Sequence, residues 1–132
     1  MLVTTVKCNL DAWRSNIEGK SGSDFVAGCG YLCEFARDVN FRQIVYLCPN
    51  PTDLQAISVQ LKTAAAFAQH LIDRTDLAEA QIAEVHDHLT RVTQRADLIE
   101  NRAKRIRDRS LKRMHDCCRD ELATTIPVGL AP

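Results

Sequence analysis

The chain has 132 residues, of which 45% are hydrophobic and 26% are charged, and its formal net charge is zero. This length accommodates one domain of ordinary size, or a small domain attached to a helical stalk, and it excludes a large multi-domain enzyme. The composition excludes a disordered or collagen-like chain. No apolar run approaches the roughly 20 residues that cross a bilayer, and residues 1–7 lack the features of a signal peptide. We therefore predict a cytoplasmic protein with no membrane contact.

The first 49 residues differ in composition from the rest, since they contain six of the seven aromatic residues and four of the five glycines. Leu10, Trp13 and Ile17 have helical spacing, which favours a helix here. Residues 2–8 are rich in Val and Thr, so a short strand is the alternative for that stretch.

A second helix is predicted from about residue 25 to residue 39, after the turn signal Ser21-Gly22-Ser23. Residues 43–47 are compatible with a strand or with a short buried helix, because so brief an apolar run is ambiguous. We expect residues 1–49 to form an N-terminal helical cap.

A heptad pattern dominates the chain after Pro51. No Gly or Pro occurs from residue 52 to residue 126, and apolar residues recur in alternating steps of three and four from Leu54 to Ile106. Fifteen of these sixteen positions are apolar, where a 45% hydrophobic chain would average about seven. This pattern is typical of a coiled coil or a long-helix bundle. The predicted oligomer seam is its second half: Ile82, Val85, Leu89, Val92, Ala96, Ile99, Ala103 and Ile106.

Two architectures share this pattern, and both are all-α. One continuous helix over residues 52–120 would be about 100 Å long and would need a second chain to cover its apolar face. Alternatively, the chain folds back near residues 73–76, where Thr75 can cap a new helix and Asp76 and Glu79 suit its first turn. We favour this helical hairpin over residues 50–123, with residues 124–132 as a flexible tail.

Basic residues are concentrated late in the chain, where residues 91–119 hold ten Lys or Arg against four Asp or Glu. Such a helix face can bind phosphates or an acidic protein surface, although a solvated face is the commonest alternative. No aromatic residue interleaves with these cations, which argues against stacking of single-stranded bases. The predicted partner-binding or nucleic-acid-binding residues are Arg91, Arg95, Arg102, Arg105, Arg109, Lys112 and Arg113.

Other candidate sites have weaker support in the sequence. Cys29 and Cys33 lie one helical turn apart, and His115 and Cys118 form another pair, but there is no CxxC motif and buried cysteine is a common core residue. We therefore expect no metal and no cofactor. No nucleophile occurs with a recognisable base, so we also expect no enzymatic activity.

The sequence thus predicts an all-α protein whose function is binding. We expect self-association through the heptad seam, which makes a homo-oligomer, and recognition of an acidic protein partner by the basic helix face. A nucleic-acid-binding protein that uses the same arginines is the alternative, and a small regulator or inhibitor of a larger complex is a third possibility.

Overall fold

In the computed structural model, residues 2–45 and 50–125 are described, with side chains from residue 3 to 42 and from 50 to 114. The described chain forms four helices and no strand: α1 (Leu2–Ile17), α2 (Gly22–Val45), α3 (Pro51–Ile72) and α4 (Glu79–Thr125). The predicted all-α class is confirmed. Of the predicted tail, residues 124 and 125 belong to α4, and residues 126–132 lie outside the described part.

Helix α1 forms because its apolar residues recur in steps of four and three. Val6, Leu10, Trp13 and Ile17 are all buried on one face, so the strand alternative for residues 2–8 is wrong. Gly19 has a φ of 82° and ends the helix, with the backbone N–H of Lys20 donating to the carbonyl of Ile17.

Helix α2 is longer than predicted at both ends. One face of the helix is apolar and buried, and it includes Phe25, Cys29, Leu32, Cys33 and Ala36. Residues 43–45 continue the helix, whereas residues 46 and 47 lie outside the described part.

The boundaries of α3 and α4 follow local capping chemistry. Asn50 caps α3, since its Oδ1 accepts from the backbone N–H of Thr52 at 2.7 Å, and Pro51 occupies the first turn. Thr75 was expected to cap the next helix, but its hydroxyl donates backwards to the carbonyl of Leu71 at 2.7 Å. The first turn of α4 is instead closed by Gln81, whose Oε1 accepts from the backbone N–H of Ala78.

Helices α3 and α4 fold back on each other, which confirms the hairpin. Ser58 donates from its hydroxyl to the carbonyl of Ala96 at 2.8 Å, while Gln69 and His86, nearer the loop, line one groove. The two helices are therefore antiparallel, and the single continuous helix is excluded.

Helices α1 and α2 lie along this hairpin and complete a four-helix bundle. Gly30 of α2 lies beside His88 of α4, and Cys33 beside Arg95, so these two helices run parallel. Helix α1 packs mainly against α3 on the other side and more lightly against α2, while α2 and α3 touch only weakly across the diagonal. All four helices contribute to one hydrophobic core, so α1 and α2 share a common interior with the hairpin.

The long helix α4 extends past the other three. Its 47 residues span about 70 Å, against about 33 Å for the 22 residues of α3. Ala103 is its last fully buried side chain among those described, Ile106 is half-buried, and residues 108–114 are all exposed. We call residues 108–125 the overhang.

Candidate interaction surface

The seven predicted binding residues separate into three environments. Arg91 is exposed and pairs with Asp87 one turn earlier, at 3.4 Å. Arg95 is half-buried, and its Nη1 donates to the Cys33 carbonyl at 2.6 Å and lies 3.1 Å from the Cys33 sulfur. These two arginines thus have partners within the chain, and Arg95 joins α4 to α2.

The other five share one side of α4 near the end of the bundle. At about 100° per residue, they fall within an arc of roughly 100°. None has an ion-pair partner among the described residues. Arg102 is half-buried and the rest are exposed. We call these residues the basic face: Arg102, Arg105, Arg109, Lys112 and Arg113.

The basic face concentrates charge at a cost to the helix. Residues 102–113 hold seven Lys or Arg and one Asp. Like charges three or four residues apart on a helix repel each other, by a few tenths of a kcal/mol per pair. Arg105, Arg109 and Arg113 have this spacing. A surface of unpaired cations can lower that repulsion by binding an anionic partner.

Neighbouring basic residues do not all belong to this face. Lys104 lies on another side of α4 and pairs with Glu100 at 3.2 Å. The charge of the segment therefore overstates the charge that any one partner would meet.

Leu98 also belongs to this surface, although the heptad pattern did not predict it. Leu98 is 52% exposed, although it lies next to the buried Ile99. It precedes Arg102 by four residues and Arg105 by seven, which places it on the same side of α4. Its signal in the sequence was an apolar residue outside the heptad pattern, in step with the arginines.

The predicted oligomer seam lies inside the bundle. Val85, Leu89, Val92, Ala96, Ile99 and Ala103 are buried, and Ile82 and Ile106 are partly buried against the same core. Helices α2 and α3 of the same chain cover these residues, so a second copy of the chain does not have access to them.

A second charged cluster joins α3 to α4. The Lys62 ammonium lies 2.6 Å from a Glu100 oxygen and 2.8 Å from an Asp97 oxygen. Hydrogen bonds to Asp97 and Glu100 raise the pKa of Lys62. Hydrogen bonds from Lys62 and then Lys104 lower the pKa of Glu100. This cluster is internally balanced and holds the hairpin together.

The buried cysteines have core roles. Cys29 is fully buried, and burial raises the pKa of its thiol to about 12, which disfavours the reactive thiolate. Among the described residues no three His, Cys, Asp or Glu side chains come together as a metal site. The side chains of Cys48, His115, Cys117 and Cys118 lie outside the described part.

A groove lies between α1 and α3. It has a volume of about 170 Å³, and its walls include Leu10, Trp13, Arg14, Gln60 and Phe67. The Arg14 guanidinium sits 4.2 Å from the centre of the Phe67 ring. The Oε1 atom of Gln60 is buried without a donor among the described residues. Lys7, Asp11 and Thr63 also line the groove.

Comparisons with protein families, with curated proteins and with solved structures found no match. In the part of the chain that the structure describes, no helix combines the length and the apolar character needed to cross a bilayer.

Proposed function

We propose that this protein is a non-enzymatic interaction protein that recognises an acidic partner through the basic face of α4. The observation that carries this proposal is the set of five cations on one side of the helix, without ion-pair partners among the described residues. Elsewhere in the described chain, cations such as Lys62 and Arg95 are used to join helices.

An acidic protein surface fits this face because carboxylates form charge-assisted hydrogen bonds with guanidinium groups. The bundle beneath supplies a rigid base, since α4 is anchored along its first half by the core and by Arg95. The described side chains of the overhang, residues 108–114, are exposed and so within reach of a partner.

Nucleic acid is the second candidate, since the same cations would span about 16 Å of helix and contact several phosphates. The third possibility, a regulator of a larger complex, would use the same surface. Self-association belongs to the proposal only through the overhang, because the predicted seam is covered within the chain.

A charge-neutralising variant tests the proposal. Arg105, Arg109 and Lys112 are changed together to Gln, and binding is measured by fluorescence anisotropy with labelled poly-glutamate and with a labelled DNA duplex. Removal of three exposed contacts should weaken binding of poly-glutamate about tenfold or more. The matched control changes Lys7, Lys20 and Arg74 to Gln, which removes the same charge from exposed positions elsewhere.

The control should change the dissociation constant by less than about twofold if the basic face is the site. Equal weakening by both variants would reduce the effect to net charge and overturn the proposal. Tighter binding of the duplex than of poly-glutamate, with a steep log-linear dependence on salt, would establish nucleic acid as the partner instead.

A further inference from the structure

Four of the five cations of the basic face align with Leu98 in a regular stripe. Leu98, Arg102, Arg105, Arg109 and Lys112 follow one another in steps of four, three, four and three residues. This spacing produces a nearly straight ridge along an α-helix, and it is the spacing with which one helix packs against another. We call these five residues the docking stripe.

The docking stripe lies next to the side of α4 that packs against α2. His88 and Arg95 mark that contact, since His88 lies against Gly30 and Arg95 binds the Cys33 carbonyl. The side-chain amide of Asn40 also donates to the Arg95 carbonyl at 2.9 Å. With that register, the end of α2 at Val45 lies about level with Ala103 of α4.

Past this level, α2 no longer covers α4. Arg105, Arg109 and Lys112 are exposed and unpaired among the described residues, and Leu98 is 52% exposed at the start of the stripe. An exposed leucine in line with cations offers a partner both an apolar contact and a row of charges.

We propose that the docking stripe binds an acidic helix of a partner protein, which lies along α4 beside the end of α2. This inference rests on the proposed function. Carboxylates of the partner pair with Arg102, Arg105, Arg109 and Lys112, and an apolar side chain of the partner covers Leu98.

The chemistry favours an acidic helix over other anions. A helix that carries Glu at intervals of three and four residues matches the spacing of the cations. A phosphate backbone would satisfy the cations but would leave Leu98 exposed, because it brings no apolar group to that position. Asp108 lies at the edge of the stripe, three residues after Arg105 and four before Lys112, so one carboxylate accompanies four cations and the stripe keeps a net positive charge.

Two synthetic peptides of identical composition provide the test. The first is a Glu- and Ala-rich helix with Glu at intervals of three and four residues and one Leu near its end. The second contains the same residues in an order that destroys the stripe. Both are labelled and titrated with the full chain by fluorescence anisotropy, with poly-glutamate as the reference for charge alone. We expect the patterned peptide to bind about tenfold more tightly than the scrambled one.

Leu98→Ala distinguishes binding along the docking stripe from attraction by charge alone. Because Leu98 is exposed, the variant should fold. It should bind the patterned peptide about fivefold more weakly and bind poly-glutamate as tightly as the wild type does. Leu111→Ala is the matched control. Leu111 is 63% exposed, but it lies roughly 140° around the helix from the stripe, and its loss should leave binding unchanged.

The outcomes distinguish the two proposals. Equal binding of both peptides, or equal effects of Leu98→Ala and Leu111→Ala, would overturn the docking stripe while leaving recognition of acidic partners intact. If the Arg105, Arg109 and Lys112 neutralisation also left every probe unaffected, the proposed function would fall with it.

Discussion

Arg95 of α4 and Cys33 of α2 are joined by a charge-assisted hydrogen bond, with 2.6 Å between Nη1 and the Cys33 carbonyl oxygen. The same nitrogen lies 3.1 Å from the Cys33 sulfur, and the Arg95 carbonyl accepts from Asn40. Arg95 therefore links α4 to α2, although it was predicted from the sequence to be one of the binding arginines.

Replacement of Arg95 by Met should destabilise the bundle. The variant keeps the aliphatic stem but loses the guanidinium, and a hydrogen bond from a charged donor contributes about 1.5–3 kcal/mol. We expect urea unfolding to show a loss in this range. Arg91→Met is the control, because Arg91 is exposed and its pair with Asp87 is on the surface, so its loss should stay below about 0.5 kcal/mol. Equal losses would show that the Arg95 contact adds no stability.

Truncation of two adjacent residues of α4 should change the free energy of unfolding by very different amounts. Ile99 is fully buried, and Ile99→Ala should lower the free energy of unfolding by about 2–5 kcal/mol, through lost burial and the cavity left behind. Leu98→Ala should change it by less than about 0.5 kcal/mol, because that side chain is 52% exposed. Chemical denaturation measures both. A large loss for Leu98→Ala would mean that this side chain is part of the core, and would remove it from the docking stripe.

Much of this contrast could be predicted from the sequence, since the heptad pattern identified Ile99 and excluded Leu98 from the buried face. The pattern specifies which side of a helix is buried but not what covers it. Coverage by α2 and α3, and not by a second chain, depends on contacts between residues far apart in the sequence, such as Ser58 with Ala96.

The basic face could also be predicted from the periodicity of the sequence. The contact that Arg95 makes with α2 could not. Its role depends on the register between α2 and α4, which places it against a residue 62 positions earlier in the chain. The turn after Ile72 was favoured over a continuous helix, but no residue required it, because it contains no glycine or proline to mark it.

Two glycines of α2 should differ in their response to alanine. At Gly28 an added Cβ would overlap with Cδ1 of the buried Ile17. At Gly30 the nearest atom would be Nε2 of His88, at 3.4 Å, which is an ordinary contact. Alanine favours the helix over glycine by up to about 1 kcal/mol, whereas overpacking a core costs about 1–3 kcal/mol.

We therefore expect Gly30→Ala to raise the thermal midpoint and Gly28→Ala to lower it, as followed by circular dichroism at 222 nm. Each variant serves as the control for the other, because both lie inside the same helix. Stabilisation by both substitutions would show that Ile17 moves aside freely and that the contact between α1 and α2 is loosely packed.

The Lys62 cluster should make stability depend on pH in a direction fixed by the two pKa shifts. The pKa of Glu100 is lowered from its ordinary 4.5 in the folded protein, so its stabilisation is present above that value and is lost as pH falls through the folded pKa. The pKa of Lys62 is raised from its ordinary 10.5, so its contribution is present below that value and is lost as pH rises through the folded pKa.

Lys62→Met should reduce the pH dependence of stability at both the acidic and the basic end. It removes the partner of Glu100 and the titrating ammonium together. At neutral pH the loss should stay below about 1 kcal/mol, since the ammonium is partly exposed and solvent screens the pair. Urea unfolding between about pH 3 and pH 11 gives the profile, and Lys20→Met, at an exposed position, is the control. Parallel profiles for the wild type and Lys62→Met would contradict the pKa shifts and leave the cluster without a role in closing the hairpin.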